Sequence, residues 1–184
     1  MSTPYEQWLA EQVQDRLAKL RAKRPAAYRV AGELHPDVAA WADRITAGEY
    51  GTLVMVGNTG VGKSWSIWAV AEKLVAAGYR GRIEVVPARQ LQRYVTPPVD
   101  QPALDRLAAA GFLAIDDIGS VRIGDWDSDR MAALLDPRWE EHRPTVLTSN
   151  QLDLLALIGE RTASRMSHRV TIVQMAGADR RRAA

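Results

Sequence analysis

The sequence predicts an α/β fold built on a mostly parallel sheet, and three observations carry that expectation. Five short apolar runs alternate with helical stretches, the first run opens into a glycine-rich loop followed by a helix, and two later runs end in polar residues suited to the same site. Parallel strands need crossover connections, and alternation with helices supplies them. The 184 residues are 47% hydrophobic and 25% charged, enough for one domain with a real core and no need of a disulfide or structural metal.

Composition excludes several classes of protein. With no cysteine, thiolate zinc sites, thiol catalysis and disulfides are all ruled out. The longest charge-free run is Tyr50 to Gly62, too short to span a membrane, and Glu6, Glu11 and Asp15 are foreign to a secretory signal. The expectation is a cytoplasmic chain without membrane contact. A net charge of +2 does not announce a nucleic-acid binder, although the ten acids and four arginines between Val99 and Glu141 give way to an arginine-rich end from Glu160 onward.

Thr3-Pro4-Tyr5-Glu6 has the residues of a capping box with proline at the first helical position. The helix it opens carries Tyr5, Trp8, Leu9, Val13, Leu17 and Leu20 at spacings of three and four, and ends near Arg24-Pro25. That stripe has two readings, an anchor for a partner or packing against the chain's own core. A loop through Tyr28 to Pro36 leads to a helix over Asp37 to Ala47, stopped by Gly48. Residues 1–36 are therefore an N-terminal helix and linker, a short extension and candidate partner-binding element, and residues 37–184 form the main domain.

Within that domain strands are expected at Thr52 to Val56, Arg82 to Val86, Phe112 to Asp116, Thr145 to Ser149 and Val170 to Val173. Helices are expected at Lys63 to Ala77, Ala88 to Tyr94, Pro102 to Ala109, Ser128 to Leu135 and Leu152 to Met166. Thr96 to Asp100 and Gly119 to Asp127 read as irregular.

Gly57-Asn58-Thr59-Gly60-Val61-Gly62-Lys63-Ser64 matches GxxxxGK[ST] between a strand and a helix. The glycines let backbone N–H groups turn around a β-phosphate at the positive end of the helix. Lys63 then reaches the β- and γ-phosphates, and the Ser64 hydroxyl takes one position on Mg²⁺. Phe112-Leu113-Ala114-Ile115-Asp116-Asp117 is an apolar strand ending in two acids. Asp116 is placed to hold the metal through water, and Asp117 to polarise the attacking water as general base. Aspartate is shorter than glutamate by about 1.5 Å, so turnover is expected to be slow. Thr148-Ser149-Asn150 ends the fourth strand at the same sheet edge, where Asn150 can meet the γ-phosphate or the attacking water.

These strand ends, with Ile158-Gly159-Glu160-Arg161-Thr162-Ala163-Ser164-Arg165-Met166 and Gly177-Ala178-Asp179-Arg180-Arg181, resemble the AAA+ ATPase domain of DnaC/DnaI-type replicative helicase loaders. The resemblance runs from about Asp37 to Arg182. It implies a P-loop NTPase fold of the AAA+ type, with a five-stranded mostly parallel sheet flanked by helices. It also implies ATP/ADP and Mg²⁺ as ligands, Gly57 to Ser64 as Walker A, Asp116 and Asp117 as Walker B, and Asn150 as sensor 1. Arg165 matches the arginine finger that acts on ATP held by a neighbouring subunit, with Arg161 four residues earlier on the same helix face as the alternative.

The partners implied are a DnaB-like replicative helicase, single-stranded DNA and further copies of the chain in a ring or spiral. Asp117 departs from the glutamate usual in AAA+ proteins, and Asn58 stands where proline is common. About ten residues follow the last strand, so no substantial C-terminal lid is expected and a sensor-2 role for Arg181 has little support. Transposition helper ATPases of the IstB type are similar over the same stretch, and these motifs do not separate the two. A weakly hydrolysing ATP-dependent adaptor of DNA or helicase also stays open at this point.

Overall fold

The computed structural model describes residues 3–120, 125–150, 164 and 169–177. Helix α1 (Pro4–Lys23) is followed by a 3-10 turn at Ala26–Tyr28, a conformation that recurs at Ile118–Ser120, and by α2 (Pro36–Thr46). Next come β1 (Thr52–Val56), α3 (Lys63–Ala76), β2 (Ile83–Pro87), α4 (Ala88–Val95) and α5 (Gln101–Ala108). The order closes with β3 (Phe112–Asp116), α6 (Asp125–Glu140), β4 (Thr145–Ser149) and β5 (Val170–Gln174). The capping box forms as its residues predict. Glu6 N–H donates to Thr3 Oγ1 at 3.2 Å, and Thr3 N–H donates to Glu6 Oε2 at 2.7 Å.

All strand pairings are parallel, in the order β2-β3-β4-β1-β5. Helices cover both faces, as crossovers in a parallel sheet require. Successive residues of a strand point to opposite faces, and β1 divides its side chains accordingly. Leu53 and Met55 join a core with α1, α2 and α3, whereas Val54 and Val56 join a second core with α4, α5 and α6.

Helix α6 is longer than the Ser128 to Leu135 segment expected, running through Asp136 and Pro137. Proline removes a helical donor, which argues for a stop, but the next residue holds the helix in place. Arg138 is fully buried and donates to the carbonyl oxygens of Leu107, Ala108, Ala110 and Pro144 and to Thr145 Oγ1, at 2.6–3.1 Å. It thereby ties the end of α5, the start of β4 and the last turn of α6. Burial pushes its pKa down to about 10, assisted by nearby Arg143 and opposed by Tyr79, so it remains protonated at neutral pH.

The stripe on α1 is divided by the structure. Leu17 and Leu20 are buried against α3, and Val13 packs at the margin of the same cluster. Tyr5 and Trp8 are 64% and 52% exposed. At the end of the helix Arg24 and Arg21 both pair with Glu72 of α3, at 2.7 and 3.1 Å. The last turns of α1 are therefore continuous with the core, and only its first turns stand clear.

The helix expected at Leu152 to Met166 lies outside the described residues apart from Ser164, as do Arg180, Arg181 and Arg182.

Candidate functional site

In a parallel sheet every strand ends on the same edge, and the order β3-β4-β1 sets three loops side by side there. The middle of that edge is the loop after β1. Gly57 has φ 152°, and a Cβ on it would lie 2.2 Å from the carbonyl oxygen of Met175, so only glycine fits. Gly60 and Gly62 adopt left-handed φ values of 88° and 103°. Gly62 is also the N-cap of α3 and provides no side-chain acceptor. The N-terminus of α3 points into this loop, and the helix dipole favours an anion there. Asn58 and Thr59 are exposed, whereas Val61 is buried in the core beneath.

The Lys63 side chain folds back across this loop. Its Nζ donates to Gly57 O at 2.6 Å and to Asn58 O at 2.8 Å, and the residue is 8% exposed. The ammonium thus sits over the loop's own backbone, where a bound phosphate would meet it.

Ser64, one residue on, donates to Asp116 Oδ1 at 3.0 Å. The same oxygen accepts from Thr148 Oγ1 at 2.7 Å. Thr148 in turn accepts the Asp117 N–H at 2.7 Å, so its buried hydroxyl bridges the end of β3 to β4. Asp117 has a left-handed φ of 60°, a conformation aspartate tolerates better than most residues, and Ser120 N–H donates to its carbonyl at 2.9 Å. The turn is pinned at its backbone, and the Asp117 carboxylate is exposed beyond it.

Asn150 is exposed directly after β4. The preceding carbonyl, that of Ser149, accepts the Gly57 N–H at 3.2 Å, which seats Asn150 beside the start of the glycine loop. The structure therefore gathers Gly57 to Ser64, Asp116, Asp117 and Asn150 at one edge. Arg161, Arg165 and Arg181 lie outside the described residues.

The donor set suits a nucleotide and a hard cation. Among the described residues no group of three or more His, Cys, Asp or Glu could hold a metal by itself. The paired Ser64 hydroxyl and Asp116 carboxylate fit Mg²⁺, which is usually held by few protein oxygens together with phosphate oxygens and water. The linker also borders the site: Trp65 Nε1 donates to Val30 O at 2.9 Å, and Gly32 lies against the Trp65 ring.

Sequence reasoning placed Thr148 in the motif and gave it no role. Its signal was available, since a hydroxyl on a fully buried strand beside two acids needs a partner. Arg138 had no such signal, because an arginine after proline near a helix end looks like a solvated side chain.

Fold and site together define a P-loop NTPase architecture of the AAA+ type, and in it the chain resembles the DnaC/DnaI-type helicase loaders. The replicative helicase loader DnaI of Bacillus subtilis is 29% identical over 101 residues, which cover 53% of this chain and 32% of the relative. The match thus spans about a third of that protein's length. A DnaI crystal structure superposes with a TM-score of 0.66 at 21% identity, covering 86% of this chain and 94% of that one. AMPPCP-bound DnaA from Aquifex aeolicus superposes with a TM-score of 0.65 at 12% identity, over 83% of this chain and 50% of that one. No protein-family model matches the chain.

Proposed function

We propose that this chain binds and hydrolyses ATP and, in assembled form, loads a replicative helicase onto single-stranded DNA. The observation that carries this reading is Ser64 and Thr148 converging on one oxygen of Asp116, beside a P-loop, in a chain with sequence similarity to DnaI. The likeness to an AMPPCP-bound neighbour supports ATP as the nucleotide.

In this reading the loop from Gly57 to Gly62 cradles the phosphates through backbone N–H groups, and Lys63 exchanges its loop carbonyls for phosphate oxygens. Ser64 and Asp116 would hold Mg²⁺, which would supply charge neutralisation of the phosphates. Asp117 accepts a proton as a water oxygen bonds to the γ-phosphorus and the bond to the ADP oxygen breaks, giving ADP and phosphate. Asn150 orients that water. Turnover is slow because Asp117 is short.

Arg165 reaches the γ-phosphate of a neighbouring copy, so activity depends on a ring or spiral. Mixing Arg165→Ala with Lys63→Ala protein tests this. Some interfaces then pair an intact loop with an intact finger, and an arginine finger is worth about 10³-fold in rate or more. No recovery at any mixing ratio, in variants shown to co-assemble, would assign Arg165 to a structural or same-chain role.

DNA contact is assigned to α4. Leu91 and Val95 are buried, so Arg89 and Arg93, four apart and exposed, occupy the outer face. One subunit offers few phosphate contacts, and an assembly multiplies them. The first turns of α1 are the candidate partner-binding element. Among the described residues no helix is long and apolar enough to cross a membrane.

The deciding experiment is loading of a purified replicative helicase onto circular single-stranded DNA, with and without ATP. ATP-dependent transfer supports the reading. Filaments on duplex DNA and a transposase partner would instead establish an IstB-like helper, and the absence of turnover under all conditions an adaptor.

A further inference from the structure

Tyr5, Trp8, Gln12, Arg16, Lys19 and Lys23 recur at spacings of three and four and line one side of α1, adjacent to the side that packs on α3. The helix, the end of α3 and the segment that follows it enclose a groove of about 370 Å³ beside Trp8. Leu9, Val13 and Val75 make its lining aliphatic, and Tyr79 closes one wall. Arg16 and Arg80 bring two guanidinium groups to it, and none of the lining residues is acidic. Arg16 is held in place by a 2.8 Å bond to Gly81 O, whereas Arg80 is exposed and has no ion pair among the described residues. The exposed rings of Tyr5 and Trp8 stack on each other at 6.1 Å.

We propose that this groove docks an amphipathic helix of a partner protein whose apolar side chains are flanked by aspartate or glutamate. The inference rests on the reading of α1 as the partner-binding element and states the chemistry that the partner presents. Aliphatic knobs at i, i+3 or i+4 and i+7 fill a concave apolar floor, and acids beside them meet Arg16 and Arg80. Trp8 is an aromatic anchor at the open end. The α1 of a second copy fits poorly as the occupant, because its Leu17 and Leu20 are already buried in its own core and are not available as apolar knobs. A nucleic acid fits poorly too. Leu9, Val13 and Val75 make the floor aliphatic and concave rather than a flat stacking platform, and Lys19 is already paired with Asp15 at 2.6 Å.

The test uses the whole chain and the exposed-site variants Trp8→Ala, Arg80→Glu and Arg80→Lys, with ATP binding and thermal melting as controls of folding. The first probe is a phage-displayed library of randomised helix-forming peptides about 18 residues long, roughly five turns. The expected binders carry apolar residues at helical spacing with acidic flanks. They lose about tenfold or more in affinity on Trp8→Ala and on Arg80→Glu, and keep most of it on Arg80→Lys. Binders without acids, binders indifferent to Trp8→Ala and Arg80→Glu, or no binders at all overturn the proposal. So does a shift in sedimentation or in oligothymidine retention caused by these variants in place of an effect on peptides.

The second probe is the purified replicative helicase. A helicase that binds the parent and not Arg80→Glu supports both readings, and one that binds both equally overturns the groove and leaves the loader reading intact. A helicase that ignores the parent chain overturns the loader reading, and the peptide selection alone then decides the groove.

Discussion

Thr148 Oγ1 donates to Oδ1 of Asp116 at 2.7 Å while accepting, at the same distance, from the backbone N–H of Asp117. One hydroxyl on β4 therefore fixes the carboxylate of the first acid and the backbone of the second. Ser64 donates to the same Asp116 oxygen, so the position of Asp116 relative to α3 depends on both donors. Thr148→Val preserves shape and deletes the hydroxyl, leaving a carboxylate short of a donor and an N–H short of an acceptor. It is expected to cost about 1–3 kcal/mol of stability and to lower ATP turnover by about tenfold or more, with little change in ATP affinity. Thr148→Ser should retain most of both. Steady-state hydrolysis, nucleotide titration and thermal melts check this, and normal turnover in Thr148→Val would remove Thr148 from the site.

Lys63 and Asp117 are expected to divide binding from chemistry. Lys63 lies over the loop with its Nζ on Gly57 O and Asn58 O, so Lys63→Ala removes a cation from where the phosphates bind. A charged hydrogen bond is worth about 1.5–3 kcal/mol, which predicts a loss in ATP affinity of roughly ten- to a hundredfold. Asp117 is exposed beyond the strand, and among the described residues its hydrogen bonds are made by its backbone. Asp117→Asn should bind ATP nearly as tightly as the parent and stop turning it over. Equal hydrolysis by Asp117→Asn and the parent would assign the base elsewhere.

The sequence revealed what local chemistry dictates. The strands Thr52–Val56, Phe112–Asp116 and Thr145–Ser149 have the bounds their apolar runs predict, because each is a fully flanked strand bracketed by glycine, proline or polar residues. The glycine loop and both acids were legible because phosphate binding requires fixed residue types at fixed spacing. What was not legible depends on distant contacts. Helix α6 passes Pro137 because Arg138 finds acceptors on α5 and β4, about 30 and about 7 positions away in sequence. The α1 stripe divides between core and solvent because α3 covers only part of it, and periodicity alone does not tell which part.

Arg138 is expected to be among the most sensitive positions outside the site. Arg138→Met leaves four carbonyls and the Thr145 hydroxyl without their shared donor, and at about 1–3 kcal/mol for each buried group left unsatisfied the change costs on the order of 3–5 kcal/mol. For a chain of this length that is a fall in melting temperature of roughly 6–20 °C. The pH dependence has a definite sign. The folded pKa of about 10 lies below the ordinary arginine value, so the unfolded chain binds this proton more tightly. Below about pH 9 Arg138 is charged in both states and adds no slope to stability, and above about pH 10 its contribution rises with pH. Melting curves of parent and Arg138→Met across pH 7 to 10.5, compared pairwise, isolate that term.

Two truncations separate the roles of α1. Removal of residues 1–10 takes away the exposed Tyr5 and Trp8 and leaves Val13, Leu17, Leu20 and Arg24 in place. Its melting temperature and ATP affinity should stay close to the parent's, because little of the deleted surface is buried. Removal of residues 1–24 extracts Leu17 and Leu20 from the core and both guanidinium partners from Glu72. Burying a leucine stabilises by about 1.5–3 kcal/mol, so this deletion should cost several kcal/mol. It should weaken ATP binding as well, since Arg24 lies 5.6 Å from the ring of Trp65, which follows Ser64. A partner that is lost with residues 1–10 from a protein of unchanged stability contacts the free turns directly. If the longer truncation melted and bound ATP like the parent, α1 would be an appendage of the P-loop core, and its contacts with α3 would carry no stability.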